Sequence, residues 1–596
     1  MAFERPLFRL ASWALISAAC FWLFGAVAFA QSQPSVDTKF GEVIGRSKDG
    51  IDTFLGIPFA PSTAGEGRFM PPGAPPIWNT PLEATRFGPA CPSVDPTRGN
   101  VRIENSSEDC LSLNIWRPEG DTRDLPVMVW IHGGGYQFGS ARTEVINGAR
   151  LARRGNMIVV TIQYRLGILG WMDLTHLGGD AYRTSGNNGV LDQIAALRWI
   201  NRNISAFGGD PENVTIFGES AGAVSVGTLL NTKLARGLFA RGIIQSGHPF
   251  ILTTKEESAF VTRSIMEEGG LETVADLKAL SAEEILDLQT SYLSGPGQAY
   301  TLGSFLPSLD GEILTEFYGE SLADPGFTPV PVMIGTNRDE FRNWAHLNGI
   351  ARLPFEFYQP WLDALTDGRS AAVYDAYKSE RPGPSDGEFG MAVMGDALFR
   401  MPSVRLAEKM SANGHPVWMY LFEFETNVPG SKVGSPHAMD IPIVFGNLDA
   451  PQTRQHHILV TEENRKSLQQ FSDRVQDAWI AFAHSGDPST ASLGNWPSYD
   501  TQARATMVLN LESEVVKDPV RAERRIWDGV AFDGAHPTAH HSQPTSHPDT
   551  KVTLRTIMAV IGPTRLVLWG LGILLVVLIG AWALRQWLFA RKEAAT

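Results

Sequence analysis

Short apolar runs alternate along the chain with longer amphipathic stretches. The runs end at turn-forming residues, and they are VMVWI (127–131), MIVVTIQY (157–164), VTIF (214–217), GIIQSG (242–247), PVMIG (331–335) and VWMYLFEF (417–424). Runs of this length are typical of parallel strands that are buried on both faces. Between two of them, residues 190–207 place apolar side chains at helical spacing. The alternation predicts an α/β fold for residues 31–532, with a central, mostly parallel sheet and helices on both faces.

Residues 1–30 carry the pattern of a secretory signal peptide. Arg5 and Arg9 precede an apolar run that ends in Ala28-Phe29-Ala30, and a basic start, an apolar stretch and a small-residue cleavage site define such a signal. The run is longer than the roughly 7–15 residues that are usual for this stretch. The segment is therefore either removed or kept as an anchor, and in both cases we expect the residues after it to be translocated.

A second apolar run, LVLWGLGILLVVLIGAWAL (566–584), contains no charged residue. A helix of this length crosses the roughly 30 Å hydrocarbon layer of a bilayer. Basic residues follow the run, and positive charge marks the cytoplasmic side of a span. We expect a transmembrane helix over 566–584 and a cytoplasmic tail over 585–596, with the body of the chain on the periplasmic or extracellular side. A buried core helix and a glycolipid-anchor signal are the alternatives.

Residues 533–565 join the body to this predicted span. Their first part, DGAHPTAHHSQPTSHPDTK (533–551), is rich in Pro, Ser, Thr and His and has no apolar periodicity. Such a composition is typical of a flexible linker. The spacing of its histidines matches no closed metal site, so we expect no metal there.

The acidic balance of the chain argues against a nucleic-acid partner. Of 596 residues, 19% are charged and the formal net charge is −14, whereas nucleic-acid binding requires a basic surface.

Of the 3 cysteines, Cys20 lies in the predicted signal. An oxidising compartment favours a disulfide between the remaining two, Cys91 and Cys110. Two unrelated thiols are the alternative.

The segment VTIFGESAGAVS (214–225) contains the pattern G-x-S-x-G at residues 218–222. A strand-like run precedes the pattern and a stretch of small residues follows it, which is the strand–turn–helix context of a nucleophilic serine. Glycines flank the serine because the turn is crowded, and the start of the helix favours a developing negative charge. The pattern predicts that Ser220 is a nucleophile; a turn without chemistry is the alternative.

A glycine-rich loop, HGGG (132–135), follows the predicted strand at 127–131. Glycines leave backbone N–H groups unobstructed, so such a loop can stabilise the negative charge on a carbonyl oxygen under attack. We predict that the N–H groups of Gly134, Gly135 and Ala221 form this oxyanion hole. A glycine-rich turn without a catalytic role is the alternative.

A serine nucleophile also requires a base and an acid that orients the base, and in this kind of site an Asp or Glu and then a His follow the serine. After the run PVMIG come Asp339 and Glu340, and spacing alone does not choose between them. The base is expected in a loop after the last long core strand, and His437 follows VWMYLFEF. The histidines weighed against it are His248, His346, His415, His456 and His457.

Several longer motifs occur in a characteristic order. They are FLGIPFA (54–60), RFMPP (68–72), EDCLSLNIW (108–116), VWIHGGGYQFGS (129–140), YRLGILGW (164–171), GNNGVLDQIAALRWINRNISAFGGDPENVTIFGESAGA (186–223), GTNRDEF (335–341) and HAMDIPIVFG (437–446). Across residues 37–530 the chain resembles the type-B carboxylesterases, the cholinesterase-like branch of the α/β-hydrolases. The resemblance implies the α/β-hydrolase fold.

The resemblance also implies a role for each matching residue. Glu340, and not Asp339, matches the acid of the catalytic triad, and Glu219 matches an acidic group that the family keeps beside the nucleophile. Cys91 and Cys110 match a family disulfide. The remaining matches are Ser220 as nucleophile, His437 as base, and Gly134, Gly135 and Ala221 as oxyanion hole.

One departure from the family concerns the substrate. Cholinesterases carry a tryptophan between the two cysteines, which binds a quaternary ammonium group by a cation–π contact. Residues 91–110 contain no aromatic residue here, so we do not expect a choline ester. The sequence predicts a serine hydrolase that cleaves small-molecule carboxylic esters in general through an acyl-enzyme, without a metal or another cofactor.

Two other functions stay open. Some membrane-anchored relatives of the cholinesterases are adhesion proteins with an inactive site, and the predicted signal and span resemble theirs. An inert binding module has no need of nucleophile, acid, base and glycine loop together, which argues against this alternative. The same site could also hydrolyse amides, carbamates, thioesters or lactones.

Overall fold

The structure, a computed structural model, describes most of the chain between residues 33 and 532. Within that part, no helix is both long and apolar enough to cross a membrane. The predicted signal peptide, linker, transmembrane helix and cytoplasmic tail lie outside the described residues and stay predictions. The described residues are 33–95, 100–294, 304–316, 322, 330–343, 354–366, 368–381, 385–530 and 532.

An eleven-stranded sheet forms the centre of the fold. Every residue of the two inner strands β4 and β5 is buried, which explains their continuous apolar sequences. In chain order the strands are β1 (Arg46–Lys48), β2 (Ile51–Pro58), β3 (Ser112–Pro118), β4 (Leu125–Ile131), β5 (Ile158–Ile162), β6 (Gly209–Glu219), β7 (Arg241–Gln245), β8 (Val332–Asn337), β9 (Val417–Phe422), β10 (Ala505–Leu509) and β11 (Glu514–Lys517). Shorter strands outside this sheet are Ser35–Thr38, Gly41–Ile44, Leu82–Glu83, Val94–Asp95, Val101–Arg102, Thr253–Thr254 and Ser308–Leu309.

The spatial order of the large sheet is β11-β10-β9-β8-β7-β6-β4-β5-β3-β2-β1. Each neighbouring pair from β10 to β5 in this order is parallel. The strands at both edges pair antiparallel. The sheet is therefore mostly parallel, as the sequence predicts.

Helices cover both faces of this sheet. Successive residues of β4 enter different cores, because Val129 packs in the core that contains Ile194 and Trp130 packs in the core that contains Trp479. The helices are α1 (Ala149–Gly155), α2 (Gly167–Trp171), α3 (Thr175–Gly178), α4 (Asn188–Asn203), α5 (Ala221–Asn231), α6 (Lys255–Glu268), α7 (Val274–Ala279), α8 (Ala282–Ser294), α9 (Phe355–Thr366), α10 (Ser370–Glu380), α11 (Asp386–Gly395), α12 (Met401–Ala412), α13 (Ile441–Phe445), α14 (Arg465–Ser485) and α15 (Arg521–Ile526).

The apolar pattern locates the central strands but not the edges. The predicted runs correspond to β4 to β9, and the predicted helix over 190–207 is α4 followed by a 3-10 turn, Ile204–Phe207. The expectation that residues 417–424 form the last long core strand is wrong, since the mostly buried strand β10 follows it. The residues of β11 are exposed or only half-buried, so no apolar run marks that strand.

The predicted site residues follow the carboxyl ends of parallel strands. Gly134 comes after β4, Ser220 after β6, Glu340 after β8 and His437 after β9. Parallel strands present these ends at one edge of the sheet. The chain passes from β4 to β5 on one side and then to β6 on the other side of β4. Such a change of direction opens a crevice where α/β sheets bind ligands.

Candidate active site

Ser220 occupies a sharp turn between β6 and α5. Its φ of 56° and ψ of −124° are rare for a residue with a Cβ, and strain of this kind concentrates at functional sites. The turn is too crowded for a side chain at either glycine of the motif. A Cβ on Gly222 would collide with the Ile131 carbonyl, and a Cβ on Gly218 would lie 2.6 Å from the backbone of Gly222. The segment has the strand–turn–helix geometry that its sequence pattern predicts.

The glycine-rich loop after β4 lies against this turn. A Cβ on Gly133 would be 3.1 Å from the Ser220 Cβ. Gly134 and Gly135 have φ values of 112° and 59°, and a Cβ on Gly134 would collide with the Phe138 carbonyl. Among the described residues, none accepts a hydrogen bond from the N–H groups of the three predicted oxyanion-hole residues. These N–H groups can therefore bind an oxygen atom of a ligand.

A buried aromatic pair fixes the start of the glycine loop. The His132 ring stacks on Tyr164 with a centroid distance of 4.4 Å, and its Nδ1 lies 2.9 Å from the Gly133 carbonyl oxygen. The Tyr164 hydroxyl donates to the His132 carbonyl at 2.7 Å. Burial lowers the pKa of His132 to about 4, so the ring is neutral at neutral pH. Stacking and hydrogen bonds, and not a charge, anchor the loop.

The fold brings the side chains of His437 and Glu340 into contact. Nδ1 of the imidazole lies 2.5 Å from Glu340 Oε2, and the two side chains are only 5% and 2% exposed. Glu340 Oε1 accepts the N–H of Asn337 at 2.7 Å, which fixes the orientation of the carboxylate. A carboxylate on Nδ1 directs proton exchange to Nε2 of the same ring.

Asp339, the other carboxylate that the spacing allows, has different partners. Its Oδ2 accepts the N–H of Ser435 at 3.0 Å, and its own N–H donates to the Ser435 carbonyl at 2.9 Å. The Arg338 guanidinium also contacts Oδ2, at 2.9 Å. Asp339 thus joins the loop that carries Glu340 to the segment just before His437.

A second carboxylate approaches the imidazole at its other nitrogen. Glu219 Oε1 is 2.9 Å from His437 Nε2. Burial alone would lower the pKa of His437, but the negative charges of Glu219 and Glu340 outweigh it and raise that pKa above its ordinary value. Burial also raises the pKa of Glu219. The Ser220 hydroxyl forms no hydrogen bond with a described residue. The predicted base therefore contacts the predicted acid, but its second nitrogen is paired with Glu219 and not with the serine.

Two buried residues that the sequence patterns did not single out complete the site. Asp440 is 1% exposed, and its Oδ2 accepts a hydrogen bond from Gln245 Nε2 at 2.7 Å. The Gln245 carbonyl in turn accepts the N–H of Ser220 at 2.9 Å. Burial, together with the charge of Glu219, raises the pKa of Asp440 to about 7. The sequence signals were one acidic residue in the mostly apolar segment HAMDIPIVFG and one amide residue in the run GIIQSG.

Cys91 and Cys110 form a disulfide, as predicted. Both residues are fully buried in one core with the strands beside them. Close to Cys110, Glu108 forms a buried ion pair with Arg68, with Nε and Oε2 2.7 Å apart. The disulfide closes the loop 91–110, which lacks the choline-binding aromatic residue of the cholinesterases.

Comparisons with known proteins identify the family. The model of the carboxylesterase family matches residues 32–527. The para-nitrobenzyl esterase of Bacillus subtilis (strain 168) is 36% identical over 509 residues, which cover 82% of this chain and 97% of that protein. The liver carboxylesterase of Sus scrofa is 34% identical over 557 residues, or 84% of this chain and 93% of that protein.

Solved structures agree with these sequence matches. The carboxylesterase of Geobacillus stearothermophilus aligns with a TM-score of 0.75 at 35% identity, and the match covers 83% of this chain and 99% of that chain. The central mixed sheet described above is shared with these α/β-hydrolases. The chain therefore belongs to the carboxylesterase family, and it is an enzyme that hydrolyses carboxylic esters.

Proposed function

We propose that the chain hydrolyses small carboxylic esters through an acyl-enzyme on Ser220, with His437 as base and Glu340 as the orienting acid. The observation that carries the proposal is the buried contact between His437 Nδ1 and Glu340, in a site where Ser220 occupies a strained turn. A serine needs a base to become a nucleophile, and the base needs a carboxylate that stabilises its charged form.

The first step uses His437 Nε2, which lies 2.9 Å from Glu219 Oε1. We propose that this nitrogen receives the proton of the serine hydroxyl. The imidazole then takes the hydroxyl proton while Ser220 Oγ attacks the ester carbonyl. Glu340 stabilises the imidazolium that forms.

The negative charge moves to the carbonyl oxygen during this attack. The N–H groups of Gly134, Gly135 and Ala221 are proposed to bind that oxygen, and each such donor contributes on the order of 3 kcal/mol to transition-state stabilisation. The imidazolium gives its proton to the leaving alcohol. Water then attacks the acyl-enzyme with the same base, and the carboxylic acid leaves while Ser220 regains its proton.

Charge around the site disfavours anionic esters as substrates. Glu219, Glu340 and Asp440 are all buried close to the imidazole, so an anionic ester would meet a negative potential. The buried Phe399 ring, whose centroid is 4.8 Å from that of His437, packs an apolar side chain against the imidazole. We propose small carboxylic esters without a negative charge as the substrate class.

Hydrolysis of short and medium p-nitrophenyl esters tests the proposal. The full-length chain is expected to turn over these esters and to react with a fluorophosphonate, whereas Ser220→Ala should lower kcat by at least about 10³-fold and abolish labelling. A folded wild-type protein that is inactive and resists the label would contradict the proposal and favour the inert binding module. Faster cleavage of matched amides, thioesters or lactones would replace the substrate class.

A further inference from the structure

A π-helical turn, Asp396–Arg400, lies against the base and the acid of the proposed triad. Phe399 of this turn is 4% exposed, and its ring packs against the His437 imidazole. Gly395, just before the turn, is so close to the acid loop that a Cβ there would be 3.5 Å from the Glu340 Cβ. Single π turns recur at functional sites. Any shift of this turn therefore reaches both triad residues.

A buried arginine holds the turn in place. Arg400 Nε donates to Asp396 Oδ1 at 2.7 Å, and its Nη2 donates to Glu523 Oε2 at 2.8 Å. Glu523 belongs to α15, and its side chain is only 1% exposed. The anchor of the π turn is therefore a carboxylate from the last helix of the described chain.

The same carboxylate also binds a second arginine. Arg381 donates from Nε to Glu523 Oε1 at 2.6 Å and from Nη2 to Oε2 at 2.9 Å. Its Nη1 lies 3.8 Å from Asp339 Oδ1. Asp339 is joined by two hydrogen bonds to Ser435, shortly before His437. Glu523 is thus connected to the imidazole by two routes, through the π turn and through the acid loop.

Burial makes these charges sensitive to the loss of a partner. Burial alone would lower the pKa of Arg400, but the charges of Asp396 and Glu523 outweigh it and raise that pKa, so the guanidinium stays charged. Removal of one member of a buried ion pair leaves the other charge uncompensated. Without the Glu523 charge, we expect Arg400 and Arg381 to find new positions, and the segments attached to them to follow.

We propose that Glu523 is a positioning residue of the active site, which fixes the His437 imidazole through Arg400 and Arg381 without touching the reacting atoms. The inference rests on the proposed function, because it requires His437 to act as the base. It assigns a role in catalysis to a helix that lies far from the triad in sequence.

Glu523→Gln in the full-length chain, with Asp518→Asn as the matched control, tests this inference. Asp518 pairs with Arg524, the neighbour of Glu523 in α15, and its Oδ1 lies 2.7 Å from Arg524 Nε. Within the described chain, Asp518 does not pair with Arg400. Glu523→Gln is expected to lower kcat and the fluorophosphonate labelling rate together by about tenfold or more, with KM changed less than about twofold, because a misplaced base slows chemistry more than binding. Asp518→Asn should change kcat by less than about twofold. Glu523→Asp, which keeps the charge, should restore part of the lost rate.

Unchanged kcat and labelling in a folded Glu523→Gln protein, or a loss no larger than in the control, would overturn the inference. If Glu523→Gln does not fold, Glu523→Asp decides, because its shorter side chain withdraws the carboxylate from the two arginines that Glu523 binds together. A lower kcat at wild-type KM supports the inference, and a wild-type kcat, which would show that the position of this carboxylate does not matter, overturns it. An inactive wild-type chain, or an active Ser220→Ala variant, would overturn the proposed function and this inference with it. If the wild type is active, Ser220→Ala is inactive and Glu523→Gln has the kcat of the wild type, the inference alone is overturned and the proposed function stands.

Discussion

At the scale of single residues, the site places several carboxylates around one imidazole. Glu340 contacts Nδ1, Glu219 contacts Nε2, and the charge of Asp440 is coupled to both. Only a carboxylate on Nδ1 can stabilise the imidazolium while Nε2 exchanges a proton with the serine. Glu340 and Glu219 therefore have different proposed functions, although both touch the same ring.

The choice between Asp339 and Glu340, which spacing leaves open, can be tested directly. Glu340→Gln keeps the shape of the side chain and removes the charge on Nδ1, so kcat should fall by about 10³–10⁴-fold. Asp339→Asn removes a carboxylate that binds Ser435 and arginines, and kcat should fall by about tenfold at most. Steady-state kinetics with p-nitrophenyl butyrate measure both effects. A larger loss in Asp339→Asn than in Glu340→Gln would reverse the assignment.

Glu219 should set the pH at which the base becomes active. The imidazole must be neutral to accept a proton, and the negative charge of Glu219 raises the pKa of His437, so activity should rise as pH increases through that pKa. Glu219→Gln removes this charge while Glu340 and Asp440 remain. The acid limb of kcat/KM should then move to lower pH by about one pH unit. The pH profile of kcat/KM reports the free enzyme; an unmoved limb, or one at higher pH, would speak against this role.

At the scale of elements, the sequence predicts what local patterns determine. Strands β4 to β9 are recognisable because both of their faces are buried, and the motifs directly after them locate the nucleophile and the glycine loop. The contact between Arg400 and Glu523 joins residues 123 positions apart, and no local pattern encodes it. Asp440 and the pairing of His437 with Glu219 were missed for the same reason, since both depend on how distant segments pack.

The glycine loop after β4 offers a test at this scale. An alanine at Gly134 would combine a φ of 112° with a collision against the Phe138 carbonyl, whereas at Gly135 a Cβ meets no atom within 4 Å, although the φ of 59° remains strained. Gly134→Ala should displace the proposed donors and lower kcat by about 10²–10³-fold. Gly135→Ala should mainly lower the free energy of unfolding, by about 1–2 kcal/mol. Kinetics and urea unfolding of the two variants distinguish these effects, and equal losses of kcat would contradict the proposed difference.

At the scale of the whole molecule, the last described residues before the predicted linker are buried in the body. Trp527 is fully buried, and Val530 and Phe532 are 8% and 7% exposed. The family model also ends its match at residue 527. The proposed triad lies at the carboxyl edge of the central sheet, and each of its residues comes from the body. We therefore expect the proposed catalytic unit to work without the segment that follows residue 532.

Cleavage within the predicted linker should consequently leave catalysis intact. A site for a sequence-specific protease, introduced between residues 540 and 545, would be cut in membranes that contain the full-length chain. We expect the cut to release the body from the membrane fraction, because it separates the body from the predicted span at 566–584. The released fragment should retain kcat and KM for p-nitrophenyl esters within about twofold, since the buried contacts that hold the site are not touched. The uncut protein without the inserted site serves as control. Lost activity after cleavage would show that the segment beyond residue 532 supports the site, and a cut body that stays on the membrane would point to a second anchor, such as an uncleaved segment 1–30.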